Sequence, residues 1–239
     1  MLNSRQERAW NELGLGPQWL RRRRAPAAVA GPFIESPDAP AGSAQAPWAA
    51  IRAEVSGCRR CGLCETRKNT VFGSGSQSTR WMLIGEAPGA EEDRSGEPFV
   101  GQAGRLLDQM LASIGLSREA DVFITNVLKC RPPENRKPEP FEVEACSDYL
   151  VRQIDLLQPD LILLLGRSAM QSVLKTDANI ASLRQRVHHY TALHGRIPVV
   201  CTYHPAYLLR NLPEKKKSWE DLCLALDVAK QQQERREAK

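Results

Sequence analysis

The sequence lacks an uninterrupted apolar run long enough to cross a bilayer, and residues 1–20 lack the apolar core of a signal peptide. It also contains no internal repeat, which argues against a repeat architecture. These absences predict a cytoplasmic protein. Structural disulfides are rare in that compartment, so its seven cysteines point first to metal or redox chemistry.

A strong excess of one charge is also missing. The formal net charge is +5 over 239 residues, which is compatible with nucleic acid as a partner but not diagnostic of it. Hydrophobic residues make up 42% and charged residues 26%, as in ordinary globular proteins. The chain is long enough to bury one full domain with residues left over.

Three segments follow from the composition along the chain. Residues 1–24 form an amphipathic segment that ends in four consecutive arginines. Residues 25–47 are rich in Ala, Pro and Gly and predict a flexible linker. Residues 48–239 then form the predicted globular domain.

Strands and helices alternate in that domain. Short apolar runs predict buried parallel strands at Trp81–Gly85, Val122–Asn126, Leu161–Gly166 and Ile197–Thr202. Helical patterns lie at Ala103–Ile114, Pro140–Leu157, Arg167–Lys175 and Lys216–Lys230. The alternation predicts an α/β fold with helices on both faces of a parallel sheet. Ligands of such folds bind beyond the carboxyl ends of the strands.

Two glycine-containing motifs follow the first predicted strand. Residues 85–89 read GEAPG and lead into the acidic residues Glu91, Glu92 and Asp93. Small residues allow close approach of a ligand, and a carboxylate there can orient a water, although a solvated acidic loop fits equally well. Phe99 lies in the second motif, between Pro98 and a glycine-rich turn, where an aromatic ring can stack on a base.

Two further motifs follow the later strands. Asn126 offers a donor and an acceptor for a pyrimidine edge, although an amide there is also typical of a helix or turn cap. The basic, proline-rich loop after it suits phosphates through Arg131, Arg136 and Lys137. His204 is followed by an apolar pair and an arginine, a pattern suited to wedging into a duplex. A lone histidine is nevertheless more often structural.

The cysteines suggest a metal centre. Cys58 and Cys61 form a close pair, and Cys130 and Cys146 follow much later. Four thiolates satisfy zinc or an iron–sulfur cluster, with the wide second spacing favouring a cluster. Cys64 extends the first pair and is a rival ligand. The remaining two, Cys201 and Cys223, are predicted to be small buried hydrophobes.

Taken together, the four motifs resemble those of the family-4, iron–sulfur uracil-DNA glycosylases. The residues that carry the resemblance are GEAPGAEED, GEPFVGQAGRLL, NVLKCRPPENRKPEP with the later Cys146, and HPAYLLR. The match covers about residues 55–228, essentially the whole predicted domain. It implies a three-layer α/β/α sandwich around a four-stranded parallel sheet. It also implies a monofunctional glycosylase that removes uracil from DNA, and a structural [4Fe–4S] cluster.

The resemblance also implies a role for each site residue. Phe99 would stack on the flipped base, Asn126 would read its edge, and His204 would donate to O2. Glu86 or Glu92 would position the water, and Ala87 stands where other uracil glycosylases place an aspartate. The remaining implied contacts are Leu208 and Leu209 in the gap of the duplex, Arg210 on a phosphate, and Cys58, Cys61, Cys130 and Cys146 as cluster ligands.

Other interpretations stay open at this level. A non-catalytic iron–sulfur DNA-binding module needs only the basic loop and wedge, and a zinc-ribbon protein would bind zinc. The loop 130–140 has no histidine, unlike a related branch that forms a covalent adduct through one. Residues 8–24 resemble the peptide of the psi clamp-loader subunit that binds the chi subunit, although a disordered basic tail is equally consistent. The resemblance further predicts a monomer in the bacterial cytoplasm, associated with the nucleoid.

Overall fold

A computed structural model describes residues 45–238 of the chain. The predicted segment 1–24 and nearly all of the predicted linker lie outside these residues, so both assignments stay predictions. The strands are β1 (Ser74–Gly75), β2 (Trp81–Gly85), β3 (Val122–Asn126), β4 (Leu161–Leu165), β5 (His188–Ala192) and β6 (Gly195–Thr202).

Helices surround the strands. They are α1 (Gln45–Ser56), α2 (Leu63–Thr66), α3 (Ala90–Ser95), α4 (Gln102–Ser113), α5 (Pro140–Leu157), α6 (Arg167–Leu174), α7 (Ile180–Leu183), α8 (Pro205–Arg210) and α9 (Lys215–Glu237). Helix α5 illustrates how the sequence sets a boundary, because Pro140 opens it and Glu142 accepts a hydrogen bond from the Glu139 N–H at 2.8 Å. In the described residues no helix is long and apolar enough to cross a membrane.

The six strands form one sheet in the order β1-β3-β2-β4-β6-β5. Its four inner strands run parallel, and the two edge strands are antiparallel to their neighbours. The predicted four-stranded parallel sheet is therefore confirmed as the centre of the fold. The edge strands were not predicted, since β1 has only two residues and β5 is a half-exposed polar strand in a hairpin with β6.

Two hydrophobic cores lie on opposite faces of the sheet. Alternate strand residues such as Met82 and Ile84 pack with α1, α5 and α6 on one face. The residues between them, such as Trp81 and Leu83, pack with α4, α8 and α9 on the other face. Because both faces are covered, the two central strands β2 and β4 are apolar throughout. The predicted three-layer α/β/α sandwich is confirmed.

Candidate active site

A cavity of about 480 Å³ opens at the carboxyl edge of the parallel strands. All four sequence motifs contribute to its wall, as the strand order requires. The lining residues are Glu86, Ala87, Pro88, Gly89, Glu92, Phe99, Ala103, Asn126, Pro132, Asn135, Arg136, His204, Ala206, Tyr207 and Arg210. This volume is in the range of small-molecule sites.

Asn126, the last residue of β3, presents an unsatisfied acceptor in this cavity. Its side chain is 1% exposed, and its Oδ1 is a buried atom that has no hydrogen-bond partner among the described residues. Gly85 at the end of β2 makes room for it, because an added Cβ there would lie 2.4 Å from that oxygen. A buried polar atom without a partner is costly, so this acceptor is suited to a ligand donor.

Phe99 is held in an unusual conformation beside Asn126. Its φ of 55° is in the left-handed region that a bulky residue rarely adopts. Arg118 donates to the Phe99 carbonyl at 2.6 Å and to the Pro98 carbonyl at 3.1 Å, while its Nε pairs with Asp108 at 2.8 Å. Gly104 allows α4 to pack closely against the main chain of Phe99, since an added Cβ there would lie 1.7 Å from the Phe99 carbonyl oxygen. The aromatic ring is therefore held rigidly at the cavity wall.

His204 faces Phe99 across the site, with ring centroids 5.4 Å apart and planes 29° apart. Its Nδ1 accepts a hydrogen bond from the Ala206 main-chain N–H at 3.1 Å, so the neutral ring carries its proton on Nε2. Burial lowers the pKa of His204 to about 4, which keeps the imidazole neutral near pH 7. The result is a neutral N–H donor in the cavity that also holds the unpaired acceptor of Asn126.

The two candidate carboxylates occupy different environments. Glu92 accepts from three main-chain groups: Gly89 N–H at 3.1 Å, Val100 N–H at 3.0 Å and Gly101 N–H at 3.2 Å. Both of its oxygens are thus engaged in tying the first motif to the second. Glu86 lines the cavity and is partly exposed. Its main-chain carbonyl accepts from the Leu128 N–H at 3.1 Å, which fixes the backbone beneath the side chain.

The basic residues of the loop after β3 have different partners. Arg136 forms a two-pronged pair with Glu142, at 2.9 and 2.5 Å, and Glu142 is buried at the start of α5. Arg131 donates to the Asn135 amide oxygen at 2.8 Å, and Lys137 is exposed. Arg136 therefore anchors the loop.

The segment after His204 presents a mixed surface. Leu208 is 1% exposed and packs into the core beneath α8, so its predicted role as a duplex wedge conflicts with its burial. Leu209 is 38% exposed, and Leu212 beyond it is 61% exposed. The sequence alone could not show which of the two adjacent leucines is buried, because that depends on how the short helix α8 is oriented against the core.

The predicted metal ligands share a second cavity, behind the loop that follows β3. Cys58, Cys61, Cys64, Cys130 and Cys146 all line it. Cys146 Sγ accepts from the Lys129 main-chain N–H at 3.4 Å, and Cys130 Sγ accepts from Arg67 at 3.1 Å. Within residues 45–238, no three cysteine, histidine or carboxylate side chains are arranged to hold a single metal ion. Several thiols around one cavity fit a group with more than one metal atom, in which different thiolates bind different atoms.

Cys64 lines the same cavity as the four predicted ligands, so it stays a rival to them. Cys201 is fully buried in the core, as predicted, and burial raises the pKa of its thiol to about 12. Cys223 is only partly buried. Each of these cysteines is free.

Two residues of the site were missed by the sequence reasoning. Arg118 lies at a helix–strand junction far along the chain from Phe99, and no local pattern indicates that it binds the Phe99 loop. Lys129 reads as part of the basic loop, but its side chain is 1% exposed and is directed into the protein. Burial lowers the pKa of Lys129 to about 8, while the neighbouring Cys146 and Cys130 act in the opposite direction.

Comparison with known proteins is consistent with this geometry. A model of the uracil DNA glycosylase superfamily matches residues 72–223. The type-4 uracil-DNA glycosylase of Archaeoglobus fulgidus is 46% identical over 171 residues, which cover 70% of this chain and 85% of that relative. The type-4 uracil-DNA glycosylase of Thermotoga maritima is 44% identical over 161 residues, which cover 67% and 82%.

A more distant relative is the type-5 uracil-DNA glycosylase of Pyrobaculum aerophilum, 32% identical over 149 residues that cover 56% of this chain and 64% of the relative. The family resemblance carried by the four motifs is therefore confirmed. With its parallel sheet, its cavity at the strand ends and these relatives, the chain belongs to the uracil DNA glycosylase superfamily and, within it, to the type-4 enzymes.

Proposed function

We propose that the cavity at the strand ends takes a uracil flipped out of DNA, and that the protein hydrolyses its N-glycosidic bond, leaving an abasic site for base excision repair. A base must leave the stack before any side chain reaches that bond. The observation that carries the proposal is the buried Asn126 Oδ1, which has no partner among the described residues.

Asn126 is complementary to the edge of uracil. Its Oδ1 would accept from N3–H of the base, and its amide N–H would donate to O4. Cytosine presents the opposite pattern at these positions and would leave buried polar groups unpaired, which permits strong discrimination. Phe99 would stack on the ring, and its rigid backbone keeps that contact in place before the base arrives.

His204 would stabilise the departing base. Cleavage of the glycosidic bond builds negative charge on O2 of uracil, and the Nε2–H of the neutral imidazole can donate to that oxygen. A donor of this kind contributes about 10²–10³-fold to rate in comparable sites. Because the ring stays neutral, it donates a hydrogen bond without surrendering its proton.

Glu86 is the better candidate to position the attacking water and to stabilise the cationic sugar. It lines the cavity, whereas both oxygens of Glu92 are engaged by main-chain N–H groups. Ala87 also lines the cavity and supplies no carboxylate, so Glu86 is left as the acidic side chain of this motif that lines the cavity and has no main-chain N–H bound to its oxygens among the described residues. Water would attack the sugar carbon as its bond to uracil breaks, with the bonding electron pair leaving on the base and the proton of the water passing to solvent.

The DNA would lie across the rim of the cavity. Exposed Leu209 would fill the gap left by the base, with Arg210 on a flanking phosphate and Lys137 and Arg131 along the backbone. Arg136 would serve by holding the loop, since its guanidinium is bound to Glu142.

A [4Fe–4S] cluster on Cys58, Cys61, Cys130 and Cys146 is proposed as the occupant of the second cavity. When bound, it supplies a structural cross-link and takes no part in bond cleavage. Support comes from the thiols that share one cavity and from the N–H donors directed at two of their sulfurs.

We further infer that the protein is a monomer in the bacterial cytoplasm, located at the nucleoid. We also infer that residues 1–24 contact the chi subunit.

The function is tested by uracil excision from a defined oligonucleotide with anaerobically purified protein. His204→Ala and Asn126→Ala are each expected to lower the single-turnover rate by about 10²-fold or more. His189→Ala, an exposed histidine on β5, is the matched control and should leave the rate unchanged. DNA binding without excision by the wild type with an intact cluster would overturn the proposal and favour a non-catalytic module.

A further inference from the structure

Lys129 is a buried cation for which the reaction above has no use. Its side chain is 1% exposed, and its ammonium donates three hydrogen bonds. The acceptors are Thr125 Oγ1 at 2.7 Å, the Asn126 main-chain carbonyl at 2.8 Å and Gln153 Oε1 at 2.7 Å. An ammonium has three donors, so this arrangement uses all of them.

The acceptors belong to a closed network. The Thr125 hydroxyl donates to the Phe72 carbonyl at 2.9 Å, and the Gln153 amide donates to that same oxygen at 2.9 Å. The network therefore joins the end of β3 to α5 and to the segment before β1. A fully satisfied buried network is rigid, and here it ends at the backbone of Asn126.

The main chain of Lys129 is anchored on the other side. Its N–H donates to Cys146 Sγ at 3.4 Å, and its carbonyl accepts from the Val71 N–H at 2.7 Å. All three acceptors of the ammonium are uncharged, and a buried charge is costly without an opposite one. As ligands of the proposed cluster, Cys146 and the adjacent Cys130 would be thiolates and would supply the opposite charge.

We propose that Lys129 is a positioning residue, which holds the backbone of Asn126 so that the side-chain amide stays directed at the base. The inference rests on the proposed base-reading role of Asn126. It differs from a general contribution to stability because Lys129 would act on the rate only through Asn126.

A double-mutant cycle separates these roles. In the otherwise native enzyme, Lys129→Met should lower the single-turnover rate of uracil excision about tenfold or more, because it removes a charged donor from the Asn126 carbonyl. In an Asn126→Ala background, the same change should lower the rate by less than about twofold. Cluster absorbance at about 400 nm per protein should match the wild type.

The matched control is Lys230→Met, an exposed lysine on α9, which should leave rate and absorbance unchanged. Equal rate losses in both backgrounds, or no loss in the native background, would overturn the proposal. A wild type that excises no uracil would instead overturn the function itself. If Lys129→Met does not keep its cluster, Thr125→Val decides, because it removes one acceptor of the ammonium and leaves the charge. Its rate loss should likewise vanish in the Asn126→Ala background.

Discussion

His204 is a histidine whose charge state is fixed by its surroundings. Its pKa is lowered from 6.5 to about 4, chiefly by burial, so the ring stays neutral over the range in which an ordinary histidine titrates. The excision rate should therefore show no inflection near pH 6.5 that belongs to His204. Single-turnover rates measured between about pH 8 and pH 5 test this.

The same group makes stability depend on pH. Below pH 6.5 the His204 side chain takes up a proton in the unfolded chain but not in the folded one, whose pKa is about 4. The contribution of the neutral ring to the free energy of unfolding is therefore complete above pH 6.5 and is lost as pH falls towards 4. Unfolding by urea should show the wild type losing stability relative to His204→Asn over this window. An unchanging difference between the two proteins would contradict the buried neutral ring.

Gly85 is a position where a single methyl group would enter the base site. An added Cβ would lie 2.4 Å from Asn126 Oδ1 and 2.6 Å from Phe99 Cζ, so both side chains must move. Gly85→Ala should lower uracil excision by about 10²-fold with a change of only a few degrees in melting temperature. Gly62→Ala, whose Cβ meets nothing within 4 Å, is the control for rate and melting.

Sequence reasoning found the residues whose chemistry is visible in their type and place. Asn126 ends β3 and His204 comes two residues after β6, and the structure brings both to one cavity with Phe99. Arg118 and Lys129 were missed because their importance lies in which main-chain oxygens they reach. Arg118 contacts the Phe99 carbonyl from 19 residues away. Lys129 is only three residues from Asn126, but its side chain is also held by Gln153, 24 residues further along the chain.

At the scale of elements, Glu92 joins two motifs. Glu92→Gln removes the charge that three main-chain N–H groups share, and should lower the free energy of unfolding by about 1–3 kcal/mol. Glu86→Gln should instead lower the excision rate and leave unfolding unchanged. Paired urea titrations and single-turnover assays check this, and the reverse pattern would return the water-positioning role to Glu92.

The bounds of strands could be predicted from the sequence where every residue of the strand is buried. Strands β2 and β3 and helix α5 lie at the predicted bounds, and most other long elements differ by one or two residues at their ends. Helix α9 is the exception, because it ends at Glu237 and the prediction ended it at Lys230. The hairpin strand β5 was missed because its alternating exposure carries polar residues outward and gives no apolar run. The strand forms because its main chain pairs with that of β6, and the side-chain pattern of one segment does not reveal such pairing.

At the scale of the whole molecule, the cysteine cavity joins the region between α1 and α2 to the loop after β3 and to α5. If the proposed cluster is bound there, Cys146→Ser should abolish the absorbance at about 400 nm and lower the melting temperature, because a ligand of the cross-link is lost. Cys64→Ser should change neither, if Cys64 is a spare thiol. Absorbance spectra and thermal melts of anaerobic preparations measure both, and loss of the cluster in Cys64→Ser would make that residue a ligand.

The separation of these cysteines along the chain has a consequence for biosynthesis. Cys58 and Cys61 leave the ribosome long before Cys146, and the cavity exists only once α5 has packed against the sheet. A nascent chain that stops short of α5 therefore has no complete site to load. Insertion of the proposed cluster would therefore be a late event in the life of each molecule, and a loaded protein would be one whose architecture is already finished.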